Sequence, residues 1–184
     1  MTVSTDLDRR FRVAAAEAGL LDVAYDLVDS PLGPLLVAAT PRGVCRISFD
    51  PEPEEEAETL ARRFGVRVLR TPLDGPRREL DEYFEGRRQT FDLDIDLAAT
   101  APFNRRVLAE LARVPYGQTT TYGRLAERAE RPRAARAVGM VMNRNPVPIV
   151  LPCHRVVGST GKLVGYGGGL DRKELLLRLE GVLA

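Results

Sequence analysis

Asn145-Pro146-Val147-Pro148-Ile149-Val150-Leu151-Pro152-Cys153-His154-Arg155-Val156-Val157 holds the only histidine of the chain and one of its two cysteines, side by side. On a regular strand consecutive side chains face opposite ways, and Cys153 and His154 could not act as a pair. Each proline biases its predecessor away from helix, so residues 145–148 are predicted to run extended. Pro152 and the glycines beyond it predict an irregular segment around the cysteine rather than a strand. A cysteine attacks as its thiolate, and a neighbouring His or Arg lowers the thiol pKa. Cys153 is thus the candidate nucleophile, and His154 is the one side chain able to serve as a base near neutral pH. A water between them would relax the geometry. The plain alternative is a buried structural cysteine beside an incidental histidine. Glu180 is a candidate acceptor to orient the imidazole; otherwise it is a solvent-facing helix carboxylate.

On either side of this stretch the chain looks mostly helical. Thr100 is expected to cap a helix through Arg113, with Pro102 in its first turn. Tyr122–Glu130 and Arg133–Arg144 are predicted as two short helices split at Arg131-Pro132, a spacing consistent with a helix-turn-helix. Beyond the cysteine, Gly158, Gly161, Gly165, Gly167, Gly168 and Gly169 form a loop that matches neither a phosphate-binding loop nor a dinucleotide fingerprint. Close backbone approach to a flat ligand or to the thiol is the simpler reading. Tyr166 within it would cover a base or fill the core. Asp171-Arg172-Lys173-Glu174 resembles a capping box opening a last helix that ends at Gly181.

The first half of the chain differs. Ala24–Asp29, Leu35–Ala39 and Val44–Phe49 are predicted strands joined by Ser30-Pro31-Leu32-Gly33-Pro34 and Thr40-Pro41-Arg42-Gly43, an antiparallel meander. Helices are predicted over Glu54–Phe64 and Arg77–Glu85, each stopped by a glycine. Phe91, Leu93, Ile95 and Leu97 alternate with aspartates, a half-buried extended segment. Thr5–Ala18 is predicted helical, with Leu7, Phe11, Ala14, Ala15 and Ala18 near helical spacing. Composition shifts near Ala98–Pro102. The expected organisation is a helical N-terminal extension (1–20), an N-terminal α/β domain (21–98) and a C-terminal domain (99–184). The fold class is α/β, of the α+β kind. A small antiparallel sheet with flanking helices precedes a mostly helical domain carrying a helix-turn-helix and a cysteine-bearing loop.

The 184 residues are 44% hydrophobic, enough for a real core. Two cysteines and one histidine exclude a disulfide scaffold and a structural zinc site. Neither a signal peptide nor a membrane span is visible, and a free thiol fits the reducing cytoplasm. The net charge of +1 conceals an asymmetry. Residues 1–100 carry 13 basic and 20 acidic side chains, a balance of −7; residues 101–184 carry 14 and 6, a balance of +8. A basic half holding the nucleophile points to a polyanionic partner.

Pro115-Tyr116-Gly117-Gln118, Thr121-Tyr122, Ala134-Ala135-Arg136-Ala137-Val138-Gly139, Asn145-Pro146-Val147-Pro148, Pro152-Cys153-His154-Arg155 and Tyr166-Gly167-Gly168-Gly169 stand in the order seen in O6-alkylguanine-DNA alkyltransferases. The resemblance covers residues 100–184; residues 20–97 are similar to the family only in layout. It implies a DNA repair protein that moves an alkyl group from O6 of guanine, with O4 of thymine left open, onto Cys153. The transfer would be direct, irreversible and single-turnover, without cofactor or metal. His154 would take the thiol proton through a water, and Glu180 would hold the histidine. Asn145 would tie the DNA-binding helices to the nucleophile segment.

Because guanine O6 is out of reach in a stacked duplex, the base must flip out. By resemblance, Arg136 would fill the gap it leaves. Tyr122 would crowd the flipped nucleotide's phosphate and help protonate the departing guanine at N3. Ala134 and Ala135 would let the second helix enter the minor groove. Arg124, Arg128, Arg133 and Arg155 would add DNA contacts. Met142, Pro148, Val156, Tyr166 and Gly167 would wall the pocket, with the Cys153 and Val156 carbonyls accepting from the guanine amino group. The implied partner is duplex DNA bearing the lesion, bound by a monomer, with cooperativity along DNA open. Two other readings compete. One is an alkyl-lesion sensor that flips the base without reacting, although inactive relatives replace the cysteine. The other is a Cys-His acyl hydrolase, which would turn over and would not need Arg136.

Overall fold

The computed structural model describes residues 5–183. Contacts divide the chain into a first unit that runs to Glu82 and includes Asp92–Ala99, and a second formed by Tyr83–Phe91 and the chain from Thr100 on.

In the first unit β1 (Val23–Val28), β2 (Leu35–Thr40) and β3 (Gly43–Phe49) form the expected antiparallel meander. Gly33 closes the first turn at φ 95°, where a side chain would be strained. From β3 the chain passes through α2 (Pro53–Phe64) to β4 (Val68–Arg70), which pairs parallel with β1. The sheet order is β3-β2-β1-β4, so the sheet is mixed rather than wholly antiparallel. The physical reason is the crossover: a helix between strands returns the chain to its starting end, and the next strand must run parallel. Three residues are too few for an alternation signal, so β4 left no mark in the sequence.

Val23, Leu36, Ala38, Cys45 and Leu60 form the core of this sheet and α2. Cys45 is buried there, and burial pushes its thiol up to about 12. Within the alternating segment, Asp94–Asp96 runs beside β3. Val44 N donates to Asp94 O (2.8 Å) and Asp96 N to Val44 O (2.9 Å). Gly43 permits the approach, since a Cβ there would stand 2.3 Å from the Asp94 carbonyl oxygen. α1 (Thr5–Glu17) buries Ala15, while Leu7 and Phe11 stay largely exposed, so its apolar spacing is not a core face. The start of the expected extension, before residue 5, lies outside the described residues. α3 spans Asp74–Phe84.

The second unit holds α4 (Pro102–Ala112), β5 (Thr120–Thr121), α5 (Tyr122–Arg128), α6 (Ala135–Asn143), a single 3-10 turn at Cys153–Arg155, β6 (Val156–Val157) and α7 (Leu170–Leu179). Leu108, Leu111, Leu125, Val138, Leu176 and Leu177 are buried, each worth about 1.5–3 kcal/mol. Two caps differ from expectation. Ala101, not Thr100, precedes α4, and no side chain caps it. α7 opens at Leu170 after Gly169, so Asp171 lies inside the helix and cannot cap it, and Glu174 pairs with Arg178 (2.8 Å) instead. α5 is capped by Thr121, whose hydroxyl accepts from Arg124 N. β5 and β6 pair in parallel, Thr120 with Val156 and Thr121 with Val157. That ladder ties the start of α5 to the residues just after the cysteine turn.

Candidate active site and nucleic-acid interface

The irregular segment builds the site. Asn145 folds back on its own chain, its side-chain oxygen accepting from Val147 N (3.1 Å). Its amide donates to Leu151 O (2.8 Å) and to Cys153 Sγ (3.2 Å). Between them Ile149 is fully buried at φ 75°, a conformation costly for a β-branched residue. The turn Cys153–Arg155 then lets adjacent side chains serve one site, which a strand would forbid.

His154 is fully buried. Its Nε2 lies 2.9 Å from Glu180 Oε1, and its Nδ1 has no hydrogen-bond partner among the described residues. Burial lowers the histidine pKa, more than Glu180 raises it. The imidazole is therefore neutral, with Nε2–H donated to the carboxylate and the Nδ1 lone pair free to take a proton. Glu180 is not solvent-facing: it caps α7 from a buried position. Burial alone would raise its pKa, but hydrogen bonds from His154 and Arg155, and the arginine's charge, hold it at about 2. Tyr83 Oη donates to Glu180 Oε1 (2.7 Å) and Gly117 N to Oε2 (3.3 Å).

Arg155 corrects two expectations. It is buried, donating through Nε and Nη2 to Glu180 (2.9 and 2.8 Å) and through Nη1 to the Val114 carbonyl (2.6 Å). All three nitrogens are engaged inside the protein, so it is not a phosphate contact. Nor does it lower the thiol pKa. Burial drives Cys153 up to about 11, against smaller opposing contributions from Asn145, its own backbone, Lys173 and Tyr166. The resting thiol is protonated and needs a base.

Cys153 lines a cavity of about 300 Å³ together with Tyr122, Gly139, Met142, Asn143, Val164, Gly165 and Tyr166. That is the lower end of the size range of small-ligand sites. Of the expected walls, Met142 and Tyr166 are there; Pro148, Val156 and Gly167 are not among the lining side chains. Pro148 and Val156 are buried in the fold, and Gly167 is packed so that a Cβ would meet Asn143 O at 3.1 Å. Tyr122 lines the cavity and donates to Val164 O (3.2 Å).

Lys173 was not anticipated. Its side chain is fully buried, and Nζ donates to Val156 O (2.5 Å) and Val164 O (3.0 Å). It thereby joins the strand after the cysteine to the glycine loop. Burial lowers its pKa to about 8. A signal did exist: Lys173, Leu176, Leu177 and Glu180 share one helix face at i, i+3, i+4 and i+7, and two charges at core positions mark a site. Tyr83 carried no such mark.

On α5, α6 and the turn between them, Arg124, Arg128, Arg133 and Arg136 are exposed, and Ala134 and Ala135 are half-buried around the start of α6. Met140, one turn after Arg136, is 59% exposed, an unusual apolar residue on a basic face. Among the described residues no group of His, Cys, Asp and Glu could hold a metal ion. No helix among them is long and apolar enough to cross a membrane.

Residues 23–97 match the 6-O-methylguanine DNA methyltransferase ribonuclease-like domain, and residues 102–182 the 6-O-methylguanine DNA methyltransferase DNA binding domain. A methylated-DNA–protein-cysteine methyltransferase of Methanosarcina barkeri is 41% identical over 159 residues, 85% of this chain and 96% of that protein. One from Mycolicibacterium paratuberculosis is 42% identical over 158 residues, 86% of this chain and 92% of its own length. The crystal structure of Mycobacterium tuberculosis OGT in complex with DNA superposes with a TM-score of 0.75 at 38% identity, covering 85% of this chain and 92% of that one. Matching in both halves, at this identity and over nearly the whole length of its relatives, the chain belongs to the 6-O-methylguanine DNA methyltransferase family.

Proposed function

We propose that this chain repairs DNA by transferring an alkyl group from O6 of guanine to the sulfur of Cys153, directly, irreversibly and once per molecule. The observation that carries the reading is the cysteine's double setting. Cys153 lines the cavity, and the next residue is a neutral histidine with a free Nδ1 and a carboxylate on Nε2.

The thiol proton passes to His154 Nδ1, by way of water. The thiolate attacks the alkyl carbon as the C–O6 bond breaks, and the electron pair leaves on the guanine, which is protonated. Tyr122, which lines the cavity, assists that protonation in this reading. Asn145 and Lys173 favour the thiolate, one by hydrogen bond and one by charge. The product thioether has no leaving group comparable to an acyl-enzyme's, so no second turnover follows. Exposed Arg124, Arg128 and Arg133 contact phosphates, and Arg136 enters the stack where the base has left. O4-alkylthymine is a second substrate to be tested. A reducing cytoplasm suits a protein whose two cysteines are both free and buried.

The test is duplex DNA carrying methyl-labelled O6-methylguanine, followed by the mass of the protein. One methyl on the Cys153 peptide, and none on Cys153→Ala despite retained DNA binding, is the expected result. Demethylation by the alanine variant, or repeated turnover, would overturn the reading. A sensor that flips but does not react is disfavoured by the intact cysteine at the cavity.

A further inference from the structure

Glu180 is more crowded than a histidine partner needs to be. Oε1 alone faces Tyr83 Oη (2.7 Å), His154 Nε2 (2.9 Å) and Arg155 Nη2 (2.8 Å). Tyr83 is fully buried, and its ring stands edge-on to Tyr116 at 6.2 Å and beside Phe91 at 5.2 Å. These rings leave the hydroxyl no other described partner.

Resting on the alkyl-transfer reading, we propose that Tyr83 is a positioning residue for the reaction: its hydroxyl draws charge from Glu180 Oε1 and so keeps His154 a neutral base with its proton on Nε2. A carboxylate bonded to His154 alone would stabilise the imidazolium strongly and leave little base near neutral pH. Sharing Oε1 with a tyrosine and an arginine weakens that pull. Burial and the Glu180 charge hold the phenol far above its ordinary range, so it stays a donor throughout. The other groups acting on the pair are few. Arg155 and Lys173 both disfavour the imidazolium, Tyr116 sits beside Tyr83 and donates to Leu179 O, and Gly117 N serves Oε2.

His154 is the only histidine, so its ring nitrogens give one unambiguous set of NMR signals. In protein labelled with ¹⁵N-histidine, the wild type should show Nδ1 unprotonated and Nε2 protonated, titrating below the ordinary histidine range. Tyr83→Phe should raise the midpoint by about half a unit to one unit. The acid limb of the transfer rate on O6-methylguanine duplex should move up by the same amount, with the plateau rate at higher pH little changed. Should Tyr83→Phe not fold, 3-fluorotyrosine at position 83 is nearly isosteric and a stronger donor, and should move both readouts the opposite way. A midpoint and an acid limb unmoved by either change would overturn the proposal, leaving Tyr83 a packing residue. The NMR readout needs no activity, so failure of the alkyl-transfer reading would appear separately, as a protein that titrates as described but gains no methyl.

Discussion

The Asn145 amide bridges the Cys153 sulfur, at 3.2 Å, and the Leu151 carbonyl, at 2.8 Å, so one side chain holds the nucleophile and the strained turn before it. Both partners lie in the buried segment. Replacing Asn145 by alanine removes one of two hydrogen bonds to the Leu151 carbonyl, the other coming from Cys153 N (2.8 Å), which costs about 0.5–1.5 kcal/mol. It also removes a hydrogen bond that lowers the thiol pKa. Asn145→Ala should unfold at lower urea and transfer methyl at least about tenfold more slowly, a factor equal to 1.4 kcal/mol. Single-turnover kinetics and urea melts check both.

Acid should destabilise the protein from pH 6.5 downward. The folded pKa of His154 is below its ordinary value, so the unfolded chain takes up the proton first, and stability falls as pH drops through that window. Glu180 acts in the same sense: its stabilisation is complete above the ordinary value of 4.5 and disappears as pH falls towards about 2. Asp22, Glu56 and Asp96 titrate in the same sense. Thermal melts from pH 7 to 3 should show the decline. Glu180→Gln should start lower at pH 7 and decline less steeply.

Lys173→Met keeps the stem of the side chain and removes its donors. The Val156 and Val164 carbonyls lose their bonds to Nζ, at about 0.5–1.5 kcal/mol each, and Val164 O keeps the bond from Tyr122. The expected signature is faster hydrogen exchange across the glycine loop, residues 158–169, with α4 unchanged. Equal exchange in the loop would count against the lysine as its anchor.

Arg136→Ala should separate flipping from chemistry. Arg136 is exposed on α6 and does not line the cavity. Extruding a base costs a few kcal/mol, so losing the residue proposed to fill the gap should slow repair of duplex lesions by about tenfold or more. Reaction with a free O6-alkylguanine base should be nearly unchanged. Equal losses on both substrates would remove the wedge role.

Local pattern was legible wherever the chain speaks through its neighbours. The meander of β1–β3 showed in period-two apolar runs and proline-glycine turns. α5 and α6 showed in a short helix pair broken at Pro132, and the irregular cysteine segment in its prolines. β4 did not show, because three residues carry no period and their partner, β1, lies 45 positions upstream, from Val68 back to Val23. Leu7 and Phe11 were misleading, since helical spacing records what a face is made of and not whether anything covers it.

Residue identity alone determined that two thiols, one of them beside the single imidazole, and one basic half were available, and that the motifs stood in a known order. Only the tertiary structure decided where the charges went. Arg155 turned inward to Glu180 rather than out to phosphate, Lys173 was buried as a clasp, and Tyr83 came from the other half of the sequence to the same carboxylate. The reason is physical. A charged side chain's role depends on whether burial leaves it water or a single partner, and burial is set by residues distant in the chain that no local pattern encodes.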